Sequence, residues 1–348
     1  LAKVRWDLIV MDEAHKLRNV YKKNNLIARK LQSAFAPFKK VLLTATPLQN
    51  NLKELYGLIS IVDGEYFSNV EQFADRYNAI TTRDNSRYGE LKARILPIIH
   101  RTLRNQVQEY VNYTQRVAII QNFTPSKQEC ELYEAIDNYL VNFSYGIPEK
   151  VKPLLSLLIR KILASSAYAL SFTLDGIIGR LQYFIDTQKK HKTNWLSLLS
   201  LEIDIEQEEE ELFEIDEEPI DFEKLKNEID YLKRCRDLAK SIPIESKAKA
   251  LIEALDNGFV KMKEFGALPK ALVFTESRRT QIYLKNYLSQ LGINVVTYNG
   301  TNNDDDAKEI YRKWLQIHEG TPIVTGNPLI DRKQALLDYF QNNAQVMI

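Results

Sequence analysis

The 348 residues carry 47 Lys and Arg against 46 Asp and Glu, a formal net charge of +1, with 45% hydrophobic and 10% aromatic residues. Near-neutral charge excludes a uniformly basic nucleic-acid binder but leaves room for a local basic face. The length suits two or three domains, and two isolated cysteines, Cys130 and Cys235, fit a reducing cytoplasm better than a disulfide framework.

In chain order, the apolar run Leu8-Ile9-Val10-Met11 closes a predicted strand over Asp7–Met11 and ends in Asp12-Glu13-Ala14-His15. A helix is predicted near Asn25–Ala34, then a strand over Val41–Ala45, then a helix after Pro47. Apolar strands without alternation indicate parallel strands covered on both faces, and their alternation with helices indicates a doubly wound sheet. Two carboxylates at one strand end and the hydroxyls of Thr44 and Thr46 at the other are what would deliver ligands to a nucleotide and sense its state. The bland readings are idle solvated acids and turn capping before Pro47.

Within residues 61–125 the chain reads as helical, ending in Leu96–Val107, and Arg116–Phe123 then reads as a strand. Arg101 and Arg104 would share a face if their segment is helical. Ser126 with Glu129 three residues later forms a capping box. Leu154–Phe172 is apolar, but Arg160 and Lys161 near its middle make it a buried soluble helix rather than a membrane span. From Glu202 to Glu218 runs an acidic stretch free of Lys and Arg, read as a loop or as a surface for a protein partner. A charged helix is predicted over 224–240. Then come a strand over Lys270–Thr275, a helix from Glu276 with Leu284, Leu288, Leu291 and Tyr287 on one face, and a strand over Asn294–Tyr298 closed by Asn299-Gly300. Ala344–Ile348 reads as a further strand.

Asp12-Glu13-Ala14-His15-Lys16-Leu17-Arg18-Asn19 and Thr44-Ala45-Thr46-Pro47-Leu48-Gln49-Asn50 resemble the second and third motifs of superfamily-two helicase-like ATPases. The extension Leu48-Gln49-Asn50-Asn51 with Glu54-Leu55-Tyr56 resembles the SWI/SNF branch, bacterial type, whose members translocate on double-stranded DNA. The resemblance implies an α/β fold built from parts of two RecA-like lobes with a large helical insertion. The expected boundaries are 1–60 for the second half of the first lobe, 61–125 for a helical protrusion and return strand, 126–240 for the insertion, and 241–348 for the first part of the second lobe.

The resemblance also assigns roles. Asp12 would hold the Mg2+ of ATP, since a hard cation takes carboxylate oxygen. Glu13 would act as general base. His15 would contact the third motif, with Thr44 and Thr46 sensing phosphate; its bland reading is a packed core histidine. Gln49 and Asn50 would help hold the lobe interface. Lys16 and Arg18 would meet phosphate or lie on the surface. Ser277, Arg278 and Arg279, at a helix N-terminus, with Gly300 and Thr301 in the next turn, would track a DNA strand by its phosphates, giving salt-sensitive binding without sequence preference.

No G-x-x-x-x-G-K-[ST] run occurs between Leu1 and Ile348. The chain is therefore expected to be an internal part of a larger ATPase, inactive alone. The function expected of the whole is DNA-stimulated ATP hydrolysis coupled to translocation. A non-catalytic scaffold and an RNA helicase are the alternatives.

Overall fold

The computed structural model describes residues 4–23, 25–77, 85–103, 106, 110, 118–149, 151–187 and 221–348. Arg104, Arg116, Val117 and the acidic run lie outside them. The chain divides into two compact units, Leu1–Val117 and Ala118–Ile348.

In the first unit, β1 (Ile9–Met11) and β2 (Lys40–Leu42) pair in parallel, Val10 opposite Val41. The crossover helix α1 (Leu26–Phe35) starts at Asn25, whose Oδ1 accepts the Ala28 N–H at 3.0 Å. It ends on a cation, because Lys40 Nζ donates to the carbonyls of Phe35, Ala36 and Phe38; positive charge belongs at a helix C-terminus. Three helices follow: α2 (Leu52–Val62), α3 (Val70–Tyr77) and α4 (Asn85–Ile95). One core joins Val20, Ala28 and Ile61 to Met11, Leu17 and Leu42 beneath the strands. A second gathers Leu55, Tyr56, Ile59, Phe67, Phe73, Tyr77 and Leu91 between α2, α3 and α4.

The expectation of strands covered on both faces is corrected here. Leu8, Val10, Val41 and Leu43 are about half exposed, while Ile9, Met11 and Leu42 turn toward the helices. Alternate side chains of a strand point to opposite faces, and among the described residues the helices cover one face. Two further corrections fall nearby. Ile99–Leu103 is irregular, so Arg101 sits on no helix, and Ala118–Phe123 joins no ladder. Ile119 and Ile120 are 68% and 84% exposed, so an apolar run here has no neighbour to pair with among the described residues.

The second unit begins with a helical bundle: α5 (Lys127–Asn142), α6 (Lys152–Ser165), α7 (Ala167–Thr187) and α8 (Phe222–Ser241). The capping box is present, with Ser126 N–H donating to Glu129 and Glu129 N–H to Ser126 Oγ. The apolar stretch read as one helix is two. Ser166 takes an extended conformation between α6 and α7, and its Oγ accepts the Ala169 N–H at 3.0 Å, starting the second helix. No described helix is long and apolar enough to cross a membrane.

After α9 (Ser246–Glu264) comes a parallel three-stranded sheet in the order β3 (Ala271–Leu272), β5 (Val346–Met347), β4 (Val295–Val296). Its crossovers are α10 (Arg278–Gln290), α11 (Asp305–His318) and α12 (Pro328–Asn342). Ala248, Leu255, Leu284 and Leu288 pack with Val346 and Ile348 on one face. Ala307, Leu336 and Ala344 pack with Met347 on the other. Here the doubly wound arrangement holds on both faces. Leu291 departs from its expected face: it follows the end of α10 and is 52% exposed.

Deep in the bundle, Glu228 is fully buried, accepting the Tyr139 hydroxyl at 2.9 Å and the Gly146 N–H at 2.7 Å. Burial outweighs these bonds and pushes its carboxyl up to about 7. Between about pH 4.5 and 7 the folded state then holds a proton that the unfolded chain has lost, so stability falls as pH rises through that window. Denaturation curves at pH 5 and pH 7.5 are expected to differ through this residue by about 2 kcal/mol, the part of that window lying between them at 1.36 kcal/mol per pH unit. Glu228→Gln should remove that contribution; an unchanged pH dependence in the variant would show that Glu228 does not cause it.

Candidate functional site

The parallel pairing of β1 with β2 brings the two sequence motifs to one sheet edge. Beyond the strands the ladder continues, with Leu43 N–H donating to Met11 O at 2.8 Å and Ala14 N–H to Leu43 O at 3.0 Å. Asp12 and Glu13 emerge exposed at the carboxyl end of β1, where open parallel sheets bind ligands. Asp12 Oδ1 accepts the Glu13 N–H at 2.8 Å. Glu13 adopts a left-handed conformation, φ 50° and ψ 40°, which is uncommon outside glycine and costs backbone energy. A single 3-10 turn, Ala14–Leu17, follows.

That turn places His15 Nδ1 3.1 Å from Glu13 Oε2 and 3.4 Å from Thr44 Oγ1. One ring nitrogen thus faces both the candidate base and the candidate sensor. Thr44 Oγ1 also accepts the Thr46 N–H at 3.2 Å, shaping the loop after β2. Asp12, Glu13, His15, Thr44 and Thr46 therefore form one local group. His15 is half-buried and engaged with Thr44 rather than sealed in the core.

Arg18 corrects the expectation of a phosphate-facing or surface cation. It is 8% exposed, with Nε 3.6 Å from Glu54 Oε1, and Glu54 is 2% exposed. Glu54 Oε2 accepts the N–H groups of Gln49 at 2.8 Å and Asn50 at 3.1 Å. Burial alone would raise the Glu54 carboxyl; the two backbone bonds and Arg18 outweigh it and hold the group below its ordinary value. Glu54 and Arg18 are the residues that sequence reasoning did not place. The signal present was an acid at the start of α2, four residues after Asn50, but nothing in the sequence distinguishes an inward from an outward carboxylate there.

The other predicted group lies in the second unit. Ser277 is buried and caps α10, its Oγ accepting the Thr280 N–H at 3.2 Å. Arg278 is exposed, with its guanidinium about 4.0 Å from where a Cβ on Gly300 would stand. Arg279 lies over the Phe172 ring at 4.5 Å. Thr301 donates its N–H and hydroxyl to Asn299 Oδ1, and the left-handed Asn302 closes the turn. Arg332 backs that turn by donating to Asn302 O at 3.0 Å. Ser277, Arg278 and Gly300 thus border one crevice at the carboxyl ends of β3 and β4, Thr301 follows in the turn, and Arg279 points toward α7.

Residues 1–173 match the SNF2-related domain, and they place this chain in the SNF2-related family. The uncharacterized ATP-dependent helicase YqhH of Bacillus subtilis (strain 168) is 26% identical over 321 residues, covering 90% of this chain and 46% of that protein. The mouse chromodomain-helicase-DNA-binding protein 1-like is 38% identical over 104 residues, 29% of this chain and 11% of that protein. The chromatin-remodeling ATPase ISW1 of Saccharomyces cerevisiae is 29% identical over 110 residues, 31% of this chain and 9% of that protein. The chain spans about half of the first relative's length and far less of the others. A solved SWI2/SNF2 ATPase core of Sulfolobus solfataricus in complex with dsDNA aligns over 100% of this chain and 54% of its own, at 16% identity and a TM-score of 0.29.

The packing of α2 under the DEAH turn is tight enough to test directly. A Cβ on Gly57 would stand 1.8 Å from the Arg18 carbonyl oxygen and 2.8 Å from its carbon. Both are backbone atoms, so the clash cannot be relieved by a rotamer change. Gly57→Ala should cost about 1–3 kcal/mol or more of stability, the range for overpacked cores. Equilibrium denaturation measures it, and a variant as stable as the wild type would contradict this packing.

Proposed function

We propose that the chain is the motor portion of an ATP-dependent translocase on double-stranded DNA. The observation that carries this is the joining of Glu13, His15 and Thr44 at the carboxyl edge of the β1–β2 pair. Membership of the SNF2-related family and the similarity to an ATP-dependent helicase support it.

The residues present suit magnesium ATP. Magnesium keeps several waters and takes one or two carboxylates together with phosphate oxygens. Asp12, exposed at the strand end, offers such a carboxylate. Bound magnesium ATP would supply the electrophilic phosphoryl group.

The chain's own residues do the rest. Glu13 accepts the proton of the attacking water. His15 holds that carboxylate through Nδ1–H and, in the other tautomer, accepts the Thr44 hydroxyl instead. It therefore connects the base to the loop that carries Thr46. Ser277 sets the start of α10, where backbone N–H groups favour an anion. Arg278, Gly300 and Thr301 would meet phosphates of the DNA backbone, with Arg279 adding charge from the flank, and fix position without reading sequence. A cytoplasmic location and a protein partner for residues 202–218 belong to the same reading.

Phosphate release by the protein that carries these residues should rise strongly with duplex DNA and little with single-stranded DNA or RNA. Stimulation by RNA would move the protein to another helicase branch, and no release with any of them would leave a scaffold. Glu13→Gln should keep nucleotide binding and lose most turnover, on the 10²–10⁴-fold scale typical of a general base; normal turnover would end its role. Replacing Arg278 and Arg279 together with alanine should weaken duplex binding and flatten the dependence of log K on log salt by about 0.9 per lost phosphate contact. An unchanged slope would place both arginines away from DNA.

A further inference from the structure

Among the described residues, two side-chain connections run between the DEAH turn and the loop after β2. The outer one is the His15–Thr44 contact. The inner one is buried and has a form that stability alone does not account for. Glu54 uses its two oxygens on two different segments: Oε1 faces Arg18 at 3.6 Å, and Oε2 takes the N–H groups of Gln49 and Asn50. Burying an ion pair recovers little net stability, and apolar residues of similar volume often do as well. The neighbours of Glu54 on α2, Leu55 to Ile61, are buried, so the carboxylate is held inside the fold by the groups it joins.

The pair is also incomplete. Arg18 Nε is buried and makes no hydrogen bond, and a buried donor without a partner is rare and costly. Shortening its 3.6 Å approach to Glu54 by about 0.6–0.7 Å would reach ordinary hydrogen-bond distance. The Arg18 carbonyl lies close against α2 at Gly57, so the gap is one the Arg18 side chain can close. A movement of the DEAH turn that shifts the Arg18 guanidinium by that distance would close the bond, and Glu54 would pass it to Gln49 and Asn50.

We infer that Glu54 is a positioning residue: held between Arg18 and the N–H groups of Gln49 and Asn50, it transmits movement of the DEAH turn to the loop after β2. This rests on the ATPase reading above. Arg18 supplies the moving end, and the Gln49–Asn50 loop is the receiving end.

The test uses the full protein that carries these residues, with ATP turnover measured with and without duplex DNA, alongside nucleotide affinity and thermal stability. Glu54→Gln keeps an acceptor for the loop but loses the charge that draws Arg18. It should retain ATP affinity and lower the ratio of DNA-stimulated to unstimulated turnover at least tenfold. Arg18→Lys, which preserves the charge, should retain most of that ratio, and Arg18→Gln should lose it. If Glu54→Gln does not fold, Arg18→Gln gives the same comparison with both loop bonds in place. A wild-type ratio in Glu54→Gln and Arg18→Gln, or equal loss of both rates with a fall in melting temperature, would overturn the inference and leave a structural pair. A wild-type protein that hydrolyses ATP with no response to DNA, or not at all, would instead overturn the reading beneath it.

Discussion

Everything at the candidate nucleotide edge depends on the parallel register of β1 and β2. Parallel strands end on the same side of a sheet, so the residues after Met11 and after Leu42 emerge together. Two backbone bonds beyond the strands, Leu43 to Met11 and Ala14 to Leu43, carry the register into the motifs themselves. A slip of one residue would turn the slipped strand over. Met11 or Leu42 would leave the core they share with Val20, Ala28 and Ile61, and His15 would lose Thr44. The apolar pattern that stabilises the sheet therefore also sets the distance between His15 and Thr44, and so between the proposed base and the proposed sensor.

Carboxylates at the junctions of elements follow one rule with two outcomes. Asp331 accepts Thr325 Oγ1–H, Thr325 N–H and Gly326 N–H, and these donors hold it below its ordinary value. Glu129 is pushed up by burial but accepts from Ser126 and from both donors of Ser246, and ends below its ordinary value. Glu54 behaves likewise. Glu228 has one hydroxyl and one close backbone donor in a fully buried site, and there burial prevails. The number of N–H and O–H groups aimed at the carboxylate, set against its desolvation, decides whether a junction carries a charge or a proton.

Much of this was legible in the sequence, for identifiable reasons. Ser126 marked a helix start because a short polar side chain can replace a missing backbone partner, and Asn25 and Ser277, read only as lying at helix starts, cap in the same way. The DEAH and Thr-Ala-Thr-Pro segments ended apolar runs, so their place at a sheet edge followed from the pattern. What failed depended on tertiary neighbours. The Leu154–Phe172 run carries no Gly or Pro after Pro153 to signal the break at Ser166. Ala118–Phe123 has strand composition but no ladder. Arg18 looked like a surface cation because the acid that receives it is 36 positions away, on a helix whose facing residues only the fold reveals.

The adjacent pair Arg278 and Arg279 shows how local geometry divides a charge run. Consecutive residues on a helix point about 100° apart, so two neighbours do not serve one surface equally. Arg278 takes the direction of Gly300 and solvent, while Arg279 covers the Phe172 ring on α7. Beside them, Ser165 and Ser166 hydroxyls meet Thr280 Oγ1 at 2.9 and 2.8 Å, and Lys161 pairs with Glu276 at 2.5 Å. The start of α10 is thus fastened to α6 and α7 on one side and open on the other. Within the proposed DNA contact, the open side belongs to Arg278 and the helix N-terminus. Arg279 adds charge from the flank while its guanidinium covers the Phe172 ring of α7.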